Sequence, residues 1–109
     1  MVLEFFPSSA NTNRQPRYKS TAYASVRVYD ADTGDPLTGA TGTLTMWFEG
    51  TKVIDQRAMP AATATLGAGW LRCLIADTEL DTHGLYQWEI RVVSADTTQV
   101  YTEEGSFAI

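Results

Sequence analysis

The chain has 109 residues, 44% of them hydrophobic and 19% charged, with a formal net charge of −5. That length gives one domain with one two-layer core, and the composition is too apolar for a disordered chain. A single cysteine, Cys73, excludes an internal disulfide and a thiolate zinc site within one chain; no run reaches the ~18 apolar residues of a membrane helix, so no membrane partner is expected, and the acidic balance argues against a nucleic-acid partner.

Residues 1–19 differ from the rest and are expected to form an N-terminal arm and linker, ahead of a regular domain over residues 20–109. Val2-Leu3-Glu4-Phe5-Phe6 is a short apolar run, too short and too acidic for a signal-peptide core. Synthesis and folding in a cytoplasm are therefore expected. Pro7 to Pro16 reads as an extended linker. Val2, Leu3, Phe5 and Phe6 need cover. They either pair on the chain's own sheet or reach a neighbouring subunit by strand addition, the linker spanning ~30 Å. Charge is uneven as well. The first 29 residues hold four basic residues (Arg14, Arg17, Lys19, Arg27) against Glu4, or +3; the remainder holds four basic against twelve acidic, or −8. Arg14 and Arg17 could dock the arm on a neighbour's acidic body, or simply keep a polar segment soluble.

Six or seven strands follow. Ala24, Val26 and Val28 alternate with Ser25, Arg27 and Tyr29, so a strand is expected over 20–30. Asp30 to Thr41 is a loop. Leu44, Met46 and Phe48 then alternate with Thr43, Thr45 and Trp47, a strand over 42–49. Glu49-Gly50-Thr51 reads as a hairpin turn into a strand over 52–58, which Pro60 stops. Thr63-Ala64-Thr65 is expected as a short edge strand. Trp70 to Ala76 is a strand with Leu71, Cys73 and Ile75 on one face, and Asp77 to Thr82 holds at most one helical turn with Leu80 plugging the core. Leu85 to Ser94 alternates most clearly: Tyr86, Trp88, Ile90 and Val92 oppose Gln87, Glu89 and Arg91. After a turn at 95–98, strands over 99–104 and 106–109 end the chain. Strands at this spacing, with polar turns, describe an all-β antiparallel sandwich of about seven strands.

No catalytic, cofactor or metal residues are assigned. Asp77, Glu79, Asp81 and His83 would share a face if extended, but ligands along one flat strand diverge. Asp30, Asp32 and Asp35 resemble the start of a calcium loop. However, Asp35 stands where the loop needs glycine, and Thr41 where it needs a bidentate Glu; an Asx turn explains them better. Glu103 and Glu104 are adjacent and point to opposite faces of a strand. No serine has a nucleophile's context, and Cys73 fits a small core position. The candidates for interaction are aromatics on polar faces, Tyr23, Tyr29 and Trp47, because exposed rings supply contact area at low entropic cost.

Three stretches carry a resemblance to a known family: Asp30 to Thr41 with Leu37-Thr38-Gly39-Ala40-Thr41, followed by alternating Leu44, Met46 and Phe48; Gly69 to Ile75; and Gly84-Leu85-Tyr86-Gln87-Trp88-Glu89-Ile90, with a closing Gly105-Ser106-Phe107-Ala108-Ile109. Over residues 20–109 these resemble the immunoglobulin-like N-terminal domain of siphophage upper baseplate proteins. Two departures stand out. Met1 to Lys19 replaces the family's Gly-Asp-rich lead, and no long stalk sequence follows Ile109. The resemblance implies an immunoglobulin-like fold, a non-enzymatic virion structural role in a bacteriophage tail tip or baseplate, other virion proteins as partners, and a homo-oligomer. A capsid decoration protein is the near alternative. A carbohydrate-binding adhesion module, with Trp47, Trp70 or Tyr101 stacked on a host-surface glycan, is the alternative from another class.

Overall fold

A computed structural model of the chain describes Lys19, residues 21–109 and the backbone of the N-terminal strand Val2–Ser9. The fold is all-β: two antiparallel sheets are laid against each other as a sandwich. The first sheet has the order β1-β2-β5, from β1 (Val2–Ser9), β2 (Ala22–Tyr29) and β5 (Trp70–Ile75). The second has the order β4-β3-β6-β7, from β3 (Thr41–Phe48), β4 (Thr51–Met59), β6 (Leu85–Val93) and β7 (Val100–Ala108).

The period-2 patterns set which residues meet between the sheets. Ala22, Ala24, Val26 and Val28 of β2 and Leu71, Cys73 and Ile75 of β5 are buried from one side. Leu44, Met46, Ile54, Tyr86, Trp88, Ile90, Val92 and Phe107 are buried from the other. Leu80, on a 3-10 turn over Asp77–Leu80, is fully buried and fills one end of the core. That turn is the helical turn expected between residues 77 and 82. It is tied down by the Lys19 N–H, which donates to the Leu80 carbonyl at 3.0 Å. Beside it, the Tyr86 hydroxyl donates to the Thr82 carbonyl at 2.9 Å. The Tyr86 ring stacks on Phe107 at 5.4 Å between centroids.

Val2–Ser9 pairs with β2 from Val2↔Tyr29 to Ser9↔Ala22. Of the two places expected for this run, the structure has the one on the chain's own sheet. β1 includes Pro7, which a sheet tolerates at an edge because an edge strand has N–H positions outside the ladder. Arg14 and Arg17 lie outside the described residues.

Two expectations need correction. Thr63–Leu66 is one turn of α-helix, α1, and not an edge strand; the Leu66 N–H reaches back to the Ala62 carbonyl at 2.8 Å. Alanine-rich sequence after Pro60 favours this turn, and only α1's neighbours Pro60 to Ala62 run along β5. The last two expected strands are one, because Gly105 continues β7 without a break. Gly105 stands opposite Trp88, and a Cβ there would fall 2.3 Å from the indole. The glycine thus accommodates a ring rather than a turn. The expected hairpin turn is present: Glu49 and Gly50 both have positive φ, 45° and 85°, the pattern of the tight type I′ connection.

Candidate interaction faces

Among the described residues the sheets end in four edge strands, β1, β5, β4 and β7, the first places where another chain could add, and three of these edges are obstructed. β5 is flanked by Pro60–Ala62: the Arg72 N–H donates to the Pro60 carbonyl at 3.0 Å and the Ala62 N–H to the Trp70 carbonyl at 2.8 Å. β4 is broken by two register shifts. At the first, Gln56 takes a positive φ of 46° and its N–H donates to Thr45 Oγ1 at 3.2 Å instead of to a ladder carbonyl. On β7, Glu103 stands opposite buried Ile90, at an inward register position, and stays exposed. A charge placed inward on an edge strand discourages further pairing.

The outer faces differ in chemistry. On the three-stranded sheet, Tyr23, Ser25, Arg27 and Tyr29 of β2 are registered beside Trp70, Arg72 and Leu74 of β5. The Arg72 guanidinium lies 4.2 Å from the centre of the Tyr23 ring, and that of Arg27 lies 4.6 Å from the centre of Tyr29. Both arrangements are cation–π stacks. Arg27 also donates to the Gly34 carbonyl at 3.1 Å. Glu4 stands opposite Arg27 in register on β1.

On the four-stranded sheet the outer face carries Thr43, Thr45 and Trp47 of β3, Gln87, Glu89 and Arg91 of β6, and Thr102, Glu104 and Ser106 of β7. Glu89 and Glu104 are directly opposite across the β6–β7 ladder. A groove of about 550 Å³ lies over this region, with Trp47 on one side, Gln87 and Glu89 on its floor, and Glu104 and Ser106 on the other side.

Tyr23 and Tyr29 are therefore on one face of the sandwich and Trp47 on the opposite one. The aromatics considered for stacking on a sugar are not brought together either. Trp47 and Trp70 belong to different sheets, and Tyr101 stands opposite buried Val92, at an inward register position on β7. The side chains of Val2, Leu3, Phe5 and Phe6 lie outside the described residues, as do Arg14 and Arg17.

A second groove, of about 770 Å³, opens between β4 and β5. At its base Arg57 donates to both carboxylate oxygens of Glu79, at 2.6 and 2.5 Å, and to the Leu74 carbonyl at 2.9 Å. Glu79 also accepts from the Ala76 N–H at 2.9 Å. The hydrogen bonds from Arg57 hold the Glu79 carboxyl below its ordinary value. This clamp joins a strand of one sheet to a strand and a turn of the other. It also explains why the Asp77 to His83 cluster does not converge: the turn is helical, and Glu79 is spent on Arg57. Among the described residues no group of His, Cys, Asp or Glu is arranged to hold a metal ion. Cys73 lines the same groove, with its thiol pushed up to about 11 by burial, so thiolate is scarce at neutral pH.

In the Asp30 to Thr41 loop, Asp30 Oδ1 accepts from the N–H groups of Asp32 and Thr33 at 2.8 and 3.1 Å. These bonds lower its pKa. The carboxylate satisfies its own turn, as the Asx reading anticipates. Asp96 does the same between β6 and β7. It accepts from the hydroxyls of Ser94 and Thr98, both at 2.7 Å, and is held at about 2.

The Arg–Tyr stacks and the Arg57–Glu79 clamp were not visible in the sequence. Arg27 is two residues from Tyr29 on one strand, which was a usable signal. Arg72 and Tyr23, like Arg57 and Glu79, meet only through strand pairing and sheet packing. Comparison with family models, curated proteins and solved structures gave no match.

Proposed function

We propose that this chain is an immunoglobulin-like structural protein of a bacteriophage virion, a tail-tip or baseplate component that acts through protein–protein contacts. Three features support the immunoglobulin-like reading. The first, second and fifth strands form one sheet and the order 4-3-6-7 forms the other. Tyr86, near the start of β6, hydrogen-bonds back to Thr82 as a tyrosine corner does. The stretches that carry the family resemblance correspond to the loop before β3, to β5, to the start of β6 and to the end of β7.

The observation that carries the assembly reading is the pair of outer faces. Each presents partly exposed aromatic side chains, Tyr23, Tyr29 and Trp70 beside two arginines on one face and Trp47 on the other, and Trp, Tyr and Arg are the residue types enriched at interfaces. The concave groove at Trp47 supports a second reading. A ring flanked by Gln87, Glu104 and Ser106 could stack on a pyranose and bond its hydroxyls.

Antibody labelling of purified phage particles tests the assignment. Label at the tail tip is the expected result, label over the head would move the chain to capsid decoration, and unlabelled particles overturn the virion reading. In that last case a glycan array, repeated with Trp47→Ala, examines the sugar-binding alternative.

A further inference from the structure

We propose that the two outer faces are complementary to each other, so that the Arg27/Arg72 face of one copy docks on the Trp47/Glu89/Glu104 face of the next. The inference rests on the structural reading above and specifies the contact by which copies assemble.

Charge is the first argument. On the outer face of the three-stranded sheet, the charged residues of β2 and β5 are Arg27 and Arg72, and Glu4 stands opposite Arg27 in register on β1, which leaves these positions a net positive charge. On the other sheet Glu89 and Glu104 face each other directly across two strands. Like charges in that arrangement disfavour the isolated fold, and guanidinium groups from a neighbour would relieve the repulsion with charge-assisted hydrogen bonds. Two cations already stand on this face. Lys52 is paired with Asp55 at 3.4 Å, and Arg91, two residues from Glu89 on β6 and diagonal to Glu104, offsets one of the two carboxylates, which leaves the pair a net negative charge for a neighbour to meet.

Preorganisation is the second argument. Arg27 and Arg72 are laid on tyrosine rings, so less side-chain freedom is lost when they dock. Trp47 offers a large rigid surface to the Tyr23, Tyr29 and Trp70 rings.

The third argument is geometry. With β4 bulged, β7 carrying an inward Glu103 and β5 flanked by Pro60–Ala62, three of the four edges resist strand addition, and among the described residues the two faces and the β1 edge are left. Because the two faces lie on opposite sides of the sandwich, the contact is head-to-tail. It closes into a ring where the rotation per copy allows.

The experiment measures the mass of the full chain by light scattering beside two charge-reversed variants, Arg27→Glu with Arg72→Glu and Glu89→Lys with Glu104→Lys. The wild type is expected to associate, and less so in ~1 M salt, where charges are screened within ~3 Å. Each variant alone is expected to be monomeric, and an equimolar mixture is expected to regain the wild-type mass, because each supplies the face the other lacks. A wild type that stays monomeric, variants that associate like it, or a mixture that stays monomeric overturns the proposal.

If a reversed variant fails to fold, the chain with both Leu74→Cys and Gln87→Cys replaces it. After oxidation it should give a ladder of disulfide-linked oligomers on a non-reducing denaturing gel, while either substitution alone runs there as the monomer. Dimers from a single substitution, or no ladder from the pair, overturn the contact. Particle labelling is independent of these outcomes. A labelled virion with failed face variants leaves the function standing and removes only this contact.

Discussion

The two outer faces of the sandwich are written by the same alternation, yet they hold their charges in opposite ways. On the three-stranded sheet, Arg27 and Arg72 are stacked on tyrosines, so each cation has an aromatic partner. On the four-stranded sheet, Glu89 and Glu104 are set against each other with Thr45 and Trp47 alongside. On one face the described arginines are laid on rings, and on the other two carboxylates stand directly opposite each other with Arg91 diagonal to one of them. The difference teaches that a half-buried strand spends its inward residues on stability and leaves its outward residues free to be placed for other reasons. Here those residues put Arg27 and Arg72 on one side of a small, acidic domain and the Glu89–Glu104 pair, with Arg91 beside it, on the other.

The comparison depends on the sandwich holding the two faces apart, and the largest expected effect comes from the residue at the end of the core. Leu80 is fully buried between the sheets, so Leu80→Ala should cost about 2–5 kcal/mol by lost burial and the cavity left behind. Denaturant unfolding measures it. A loss below about 1 kcal/mol would mean that the 3-10 turn is not part of the core.

Gly105→Ala separates the two sides. A Cβ there meets the Trp88 indole at 2.3 Å, so Trp88 or β7 must move. The cost is expected at about 1–3 kcal/mol, with a shifted tryptophan emission. The amides of β2 and β5 should keep their hydrogen-exchange protection while those of β6 and β7 lose some. Equal loss in both sheets would show that the faces are not mechanically separate.

The smallest effect concerns the clamp that joins the sheets. Glu79→Gln removes the charge that Arg57 grips. Arg57 is partly exposed, with 37% of its side-chain surface accessible, so water replaces part of the interaction. A loss of about 1 kcal/mol is expected. Because the folded Glu79 carboxyl lies below its ordinary value of 4.5, its contribution is complete above that pH and is lost as pH falls through the folded value. Wild-type stability should therefore drop on acidification below about pH 4.5, and the drop should be shallower in Glu79→Gln. Identical pH profiles for the two proteins would remove the clamp from the account of acid sensitivity.

Particular elements show why some of this was legible in the sequence and some was not. β2, β3 and β6 were readable because each alternates over at least six residues and each has one buried face. Glu49-Gly50 was readable because only a tight turn suits that pair between two strands. Thr63–Leu66 was misread because four residues carry no period, and the choice between strand and helical turn fell to its neighbours. Gly105 was misread because glycine signals a break as readily as it signals a ring laid against the backbone. Only the position of Trp88 distinguishes the two.

By itself the sequence determined the all-β class, the core face of most strands, the turns, and the aromatics that face outward. These follow from local periodicity and local turn chemistry, which need no knowledge of what lies across the sheet. Tertiary structure decided which strands share a sheet, and hence that Tyr23 and Tyr29 lie on the side opposite Trp47. It also decided that Arg57 meets Glu79 and that Glu89 confronts Glu104. Those contacts join residues 22 and 15 positions apart, and strand pairing and sheet packing set them through burial summed over the whole core rather than through any local pattern.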